Sequence, residues 1–355
     1  MRLVLSSGSR TWGGLEAMAE SLARGLACRG HQVVCFCRRE SPLHRRLAEE
    51  IPCEPILGGE RLHPLTLARC ARALRRHRPD AVIGNTMKEP GWTGAAARLL
   101  GIPVVHRHEF NIPYPDRPLD RLLFGSVPVL HVVNSEASRR TVLSAAGWID
   151  PRRVAVVPNG IDVRCFAEAP PARLGFPAGA TVFGFVGRWE RAKGVQELAA
   201  AWPTVAAALP GARLVVAGLP GDPEERGGLR GDPCVTWRDF QQEIPALMKA
   251  LDVLVLPSHR EGFGLVLVEA MAAGAAVIAS DTSAIPEIVT DGVEGLLVPP
   301  RDPAALAAAM LRLGSDPALR RRMGEAGHAA ARSRFSAERM LDEHDRLLRE
   351  VIRSR

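Results

Sequence analysis

Only one tyrosine occurs in 355 residues, and aromatic side chains make up 5% of the chain. Surfaces that stack nucleic-acid bases interleave aromatics with their cations, so nucleic acid is not an expected partner. No window of 18 residues is free of charges and helix breakers, so no segment reads as a membrane-spanning helix. The opening MRLVLSSGSR passes from a short strand into a glycine-bearing loop without the basic segment and apolar run of a signal peptide. A cytoplasmic protein is therefore expected. The seven cysteines, an odd number, lie mostly in apolar runs such as VVCFC (Cys35, Cys37), and no paired C-x-x-C or histidine spacing accompanies them. They read as buried reduced thiols and not as disulfides or a metal cage. A D-x-D pair that would grip a diphosphate through Mg²⁺ is also missing, so no metal is expected. GSRTWGG (8–14) does not give G-x-G-x-x-G, which places a dinucleotide dehydrogenase last among the functions considered.

What is present describes an ordinary folded chain, 46% apolar and 24% charged. Its length favours two domains. The net charge of +7 is unevenly placed: residues 1–170 carry 24 Lys/Arg against 16 Asp/Glu, and residues 171–355 carry 22 against 23. A basic first half suits phosphates, an acidic lipid surface or nucleic acid, or is a solvated arginine-rich face. Its densest segment, RCARALRRHRPD (69–80), places Arg69, Arg72, Arg75, Arg76 and Arg78 on or near one short helix, with Leu65, Leu67 and Leu74 interspersed. Such a face can rest on an anionic membrane.

Short β-rich runs alternate with amphipathic segments from end to end: RLVLSS, HQVVCFC, DAVIGN, PVVHRHE, VLHVVNS and VAVVPNG, then TVFGFVGR, RLVVAG, DVLVLPS, AVIAS and GLLVPP. Segments such as LEAMAESLARGLACRG keep apolar residues three and four apart and end at a glycine, Gly30. The alternation predicts parallel sheets with helices on both faces. It breaks once, in VRCFAEAPPARLGFPAGA after Asp162, which reads as a linker. The expected organisation is an α/β chain of two Rossmann-like domains, 1–168 and 169–335, facing across a central cleft. A helix over 336–355 is expected to pack back toward the first domain.

Two stretches of the second half carry chemistry. FGFVGRWERAKGV places Arg188 directly after a strand and its glycine, and Lys193 five residues later where a helical pattern starts. Two cations at a strand end beside a helix N-terminus suit a diphosphate. SHREGFGLVLVEAMAAG then follows the strand DVLVLPS. Gly262 and Gly264 let the backbone approach a ligand, and the helix that follows offers its N–H groups to an anion. Glu261 lies in the loop and Glu269 about two turns into the helix, a spacing that can address two polyol ends of a sugar nucleotide. The apolar neighbours of Glu269 make an unpaired helix-face charge there costly.

These motifs, with EIVTDGVEGLLVPPRDPAALA (287–307), VPNGID (157–162), VVNSEASRR (132–140) and WGGLEAMAESLARGLACRGHQV (12–33), resemble the family 4 retaining glycosyltransferases of the GT-B fold over nearly the whole chain. The resemblance implies a nucleotide diphosphate sugar as donor, with no cofactor or metal. Arg188 and Lys193 would hold the diphosphate as it leaves. Glu261 would contact hydroxyls of the transferred hexose, and the backbone of Gly262, Phe263, Gly264 and Leu265 would reach the sugar or phosphate. Glu269 would bind the ribose, and Gly13 and Gly14 would close over the phosphates and acceptor. His108 falls where relatives carry a histidine followed by an acidic residue, and would face the sugar; His106 points the same way, and only the resemblance selects between them. It also implies same-face attack with no protein nucleophile, and an acceptor on a saccharide or glycolipid of the cell envelope, reached at the inner face of the membrane. Trp237, Arg238 and Asp239 stand where relatives commonly carry a glycine in the loop bordering the nucleobase, which leaves UDP and GDP sugars both open. Two alternatives share the motifs: a nucleotide-sugar 2-epimerase of the same fold, and a non-catalytic nucleotide-sugar-binding subunit.

Overall fold

The structure is a computed structural model describing residues 1–58, 63–218, 229, 231–239 and 243–354. The chain divides into two compact units: Met1–Gly160 with Ala337–Arg355, and Ile161–Ser336.

The first unit holds seven strands: β1 (Arg2–Ser7), β2 (Gln32–Cys37), β3 (Cys53–Glu54), β4 (Ala81–Gly84), β5 (Val104–His108), β6 (Leu130–Val133) and β7 (Val154–Val156). Their order in the sheet is β3-β2-β1-β4-β5-β6-β7, every recorded pairing parallel. The central strands are buried along their length, as expected where helices cover both faces; β4 is a continuous apolar run, whereas β5 and β6 also bury His106, Arg107, His108 and His131. The last helix, Ala337–Arg353, buries Met340, Leu341, Leu347 and Leu348 in this unit. A Cβ on Gly25 would stand 2.4 Å from Leu341 Cδ1, so the missing side chain lets that helix approach the helix Gly14–Cys28. Ion pairs Arg29–Asp342 (2.8 Å) and His31–Asp345 (2.8 Å) flank the contact.

The second unit holds β8 (Thr181–Val186), β9 (Ala212–Ala217), β10 (Val235–Arg238), β11 (Val253–Leu256), β12 (Ala276–Ser280) and β13 (Gly295–Val298), ordered β10-β9-β8-β11-β12-β13 and parallel throughout. One core cluster joins Phe183, Phe185, Trp189, Trp202, Val253, Val255, Met310 and Met323. The sequence counts residues up to 168 with the first domain. In the structure the helix Val163–Ala167 buries Val163 and Phe166 and falls in the second unit, so the division comes at Gly160. Trp237 and Arg238, assigned from the sequence to a loop, form part of β10, and Trp237 packs edge-on against Trp189 with ring centroids 4.7 Å apart.

In both sheets the chain starts in the middle, winds outward one way, then returns to wind the other way. The reversal falls between β1 and β4 in one unit and between β8 and β11 in the other. Loops leaving the carboxyl ends of strands at such a reversal diverge and leave a crevice for ligands.

Candidate active site

At the reversal of the second unit, the loop after β8 carries the first pair of cations. Arg188 is exposed, and its guanidinium lies 3.2 Å from Glu190. A single turn, Arg191–Lys193, leads to Gly194, which caps the helix Val195–Ala208 with φ of 72°. Glycine is required there twice over: the dihedral is left-handed, and a Cβ would stand 1.8 Å from the Pro257 carbonyl oxygen. That close approach presses the Lys193 turn against the loop after β11, and the His259 N–H donates to the Ala192 carbonyl at 3.0 Å.

The result is a charge pair. Lys193 Nζ donates to Glu261 Oε1 at 2.7 Å, and the Ser258 hydroxyl donates to the same oxygen at 2.8 Å. Glu261 is nearly buried and Lys193 partly so. The Glu261 amide donates to the Ser283 hydroxyl at 3.3 Å, and Ser283 holds a left-handed backbone (φ 55°) in doing so. Beyond Glu261, Gly264 takes φ of 100° and starts the helix Leu265–Ala273 with no side-chain cap, so its first amides remain open to an anion. Phe263 anchors this loop by packing edge-on against Phe335, centroids 6.0 Å apart. Glu269 lies further along the helix. Burial pushes its carboxyl up to about 7, and among the described residues it has no hydrogen-bond or ionic partner. A carboxyl group held this way favours its protonated form until a donor or a cation approaches it.

The structure therefore brings Lys193, Glu261 and the Gly262–Leu265 loop together, with Glu269 on the helix that the loop starts. Arg188 emerges from the adjacent strand but points to Glu190.

In the first unit the sequence candidates are differently placed. Gly13 and Gly14 are exposed at the start of the helix Gly14–Cys28, and Gly13, with φ of −173°, makes no demand for glycine. His108 ends β5 and is 1% exposed; its Nε2 bonds to the Ile112 carbonyl at 2.8 Å, while its buried Nδ1 has no partner. Burial lowers its pKa, so the ring is neutral. The resemblance has it facing the transferred sugar; in the structure it is a buried residue at the end of its strand. His106 lies deeper, bonded to Tyr114 and to the Thr86 carbonyl.

Sequence reasoning missed the groups around them. Arg107, 1% exposed, pairs with Glu109 and donates to Asn85 at 2.9 Å. The Glu109 carboxylate also accepts from Asn159 at 2.7 Å and Asn134 at 3.3 Å. A charged residue inside the strand VVHRH was the available signal, since burial of a cation in a sheet requires a partner. At the reversal of this sheet, Glu89 accepts from the amides of Gly8 (2.7 Å) and Thr86 (2.6 Å) and from the Thr86 hydroxyl.

Among proteins of known structure, the fold is that of GT-B glycosyltransferases. Anabaena HepE, solved in complex with UDP and glucose, superposes with a TM-score of 0.84 at 22% identity, covering 99% of this chain and 100% of that one. WaaG, a glycosyltransferase of lipopolysaccharide biosynthesis, gives 0.73 at 16% identity, covering 97% and 98%. Residues 12–164 match the family described as Glycosyltransferase Family 4, and residues 180–316 match Glycosyl transferases group 1. The D-inositol 3-phosphate glycosyltransferase of Acidothermus cellulolyticus is 30% identical over 89% of this chain and 82% of its own length. The phosphatidyl-myo-inositol mannosyltransferase of Mycolicibacterium smegmatis is 36% identical over 58% of this chain and 52% of its own. The chain belongs to glycosyltransferase family 4.

Proposed function

We propose that the protein is a retaining hexosyltransferase that takes its sugar from a nucleotide diphosphate donor and passes it to a hydroxyl of an envelope saccharide or glycolipid. The observation that carries the reading is the Lys193–Glu261 pair, set beside an uncapped helix N-terminus at the reversal of the second sheet, with Glu269 left without a partner. A donor diphosphate satisfies this arrangement. Lys193 turns to the phosphate oxygens, Arg188 exchanges Glu190 for them, and the free amides at Gly264 and Leu265 add neutral donors. Glu261, released from Lys193, accepts from sugar hydroxyls, and Glu269 accepts from the ribose diol.

Glu261 positions substrate and is not the attacking group: the ammonium and the Ser258 hydroxyl converge on one of its oxygens, which lowers its nucleophilicity. Attack then comes from the acceptor hydroxyl on the face the phosphate leaves, and a departing phosphate oxygen takes the proton. No divalent metal is called for, since the two cations carry the charge of the leaving group. Gly13 and Gly14 belong to the phosphate and acceptor contacts of the first unit. His108 takes part only through Nδ1, its one unpaired atom.

UDP sugars are the first donors to try because HepE was solved with UDP and glucose. Inositol phosphates and phosphatidylinositol are the first acceptors, from the names of the relatives. A lipid acceptor also suits the basic helix Pro64–His77: Leu65, Arg69, Arg72 and Arg76 form one exposed stripe. Leu74, read from the sequence as part of that face, is fully buried and belongs to the core. Among the described residues no helix is long and apolar enough to cross a membrane, so contact would be peripheral.

The test is a thermal-shift panel of UDP, GDP, ADP and TDP sugars, followed by transfer assays with the donor that binds. Saturation at 100 times Kd adds about 2.7 kcal/mol of stability. Silence across the panel defeats the reading, and interconversion of the donor sugar without acceptor makes the protein an epimerase.

A further inference from the structure

The second and third strands of the first unit bring three thiols to one point. Cys35 and Cys37 are two residues apart on β2, so their side chains leave the same face of the sheet. Cys53 opens β3 and is the register partner of Cys35. All three sulfurs lie within 4.8 Å of one another. Cys35 and Cys37 are fully buried, while Cys53 is half-buried and gives a route from solvent. The Cys53 sulfur also lies 3.3 Å from the Ile51 carbonyl oxygen. A zinc–sulfur bond of about 2.3 Å sets the sulfurs of a trigonal or tetrahedral site about 3.8 to 4.0 Å apart, inside the 4.8 Å limit within which the three already lie.

We propose that Cys35, Cys37 and Cys53 form a three-thiolate site for zinc(II). Binding breaks three S–H bonds, releases three protons to the buffer and makes three metal–sulfur bonds, with no change of oxidation state. The filled cluster carries one net negative charge with zinc and two with a monovalent soft cation, and the smaller buried charge favours zinc. The fourth position is left to water. Arg38 follows Cys37 directly and its Nε donates to the Gly8 carbonyl at 2.7 Å, so a filled site braces the loop after β1. The site uses none of the residues assigned to sugar transfer.

The experiment uses reduced full-length protein in which the exposed Cys28 and Cys165 are replaced by serine. Metal is removed by chelator, zinc chloride is titrated by calorimetry, and the metal content is measured after gel filtration. One zinc per chain is expected, with a higher Tm that chelator reverses and with the half-buried Cys53 protected from alkylation. Cd²⁺ in place of zinc should give a sulfur-to-metal charge-transfer band that weakens as each of the three is lost. Cys53→Ser, at the half-exposed position, should keep its circular dichroism and weaken zinc binding by more than ~100-fold, beyond the ~10–100-fold typical of losing an outer hydrogen-bond partner. Failure to retain zinc overturns the proposal. So does zinc retained at full affinity by a folded Cys53→Ser protein, or protection that maps to Cys70 and Cys234 instead.

Discussion

The two units share a strand order around their sheet reversals but arrange polar groups there in opposite ways. In the first unit, the carboxylates at strand ends are turned inward: Glu89 is surrounded by three donors from its own chain, and Glu109 by an arginine and two asparagines. In the second unit, Lys193 and Glu261 hold each other in a partly exposed pair, Glu269 has no partner among the described residues, and a helix N-terminus has no side-chain cap. One topology thus supports a loop framework fixed by its own hydrogen bonds and another that leaves exchangeable or open polar groups at its strand ends. The difference lies in side chains at strand ends, which is why the fold alone does not specify the chemistry.

The sharpest way to break this contrast is to remove one partner from each side. Glu109→Ala leaves Arg107 buried with its charge unpaired and should cost about 3–5 kcal/mol of stability, read by denaturant unfolding. If it costs less than about 1 kcal/mol, the first unit is not held by that network. Lys193→Ala should cost less stability, because Lys193 is partly exposed and Glu261 keeps the Ser258 hydroxyl, but should lower kcat/KM for the nucleotide-sugar donor by about 10²- to 10³-fold, equivalent to about 3–4 kcal/mol at the transition state. Equal losses of stability and activity would mean that the pair is structural.

Glu269 sharpens the comparison through pH. Its carboxyl is pushed up from the ordinary 4.5 to about 7, so the folded state holds the proton more tightly than the unfolded chain. Between these values the folded state binds more protons, and stability falls as pH rises, the penalty being complete above about 7. Glu269→Gln should remove that slope, gaining about 1–3 kcal/mol relative to the wild type at pH 8 compared with pH 5. Donor affinity should show the converse. Hydroxyl donors favour the carboxylate, so the wild type binds donor more tightly as pH rises through 7, and the glutamine variant binds weakly at every pH. A flat wild-type profile would remove Glu269 from the donor contacts.

Much of this was legible in the sequence, for identifiable reasons. Buried parallel strands are short apolar runs, and all five runs read in the second half appear as strands of its sheet. Gly264, singled out in the sequence as a point of close backbone approach, takes a left-handed φ of 100° at the helix start, and Gly194, which the sequence reading did not single out, takes 72° directly after Lys193. The strand β10 escaped notice because VTWR neither alternates cleanly nor forms an apolar run; its place depends on Trp237 meeting Trp189, residues far apart in sequence. For the same reason Cys53 could not be joined to Cys35 and Cys37, since the register of an edge strand of two residues is fixed by tertiary packing. In the sequence Glu109 is legible only as the acidic residue that follows His108. Its four contacts come from Arg107, Asn134 and Asn159, and only the ends of β5, β6 and β7 in space bring those together.

The smallest expected effect discriminates best between the two kinds of glycine. Gly13 has an extended φ, and a Cβ there would meet nothing closer than Glu16 Oε2 at 3.5 Å, so Gly13→Ala should change stability by less than about 1 kcal/mol, the scale of a helix N-cap preference. Gly194→Ala, by contrast, forces a Cβ against the Pro257 carbonyl and should unfold or displace the loop. If Gly13→Ala leaves the Tm unchanged yet raises the donor or acceptor KM several-fold, the glycine is there so that a ligand can approach the backbone. If neither Tm nor KM moves, the helix start at Gly14 lies outside the ligand contacts, and the chemistry of transfer rests on the second unit's incomplete hydrogen bonds.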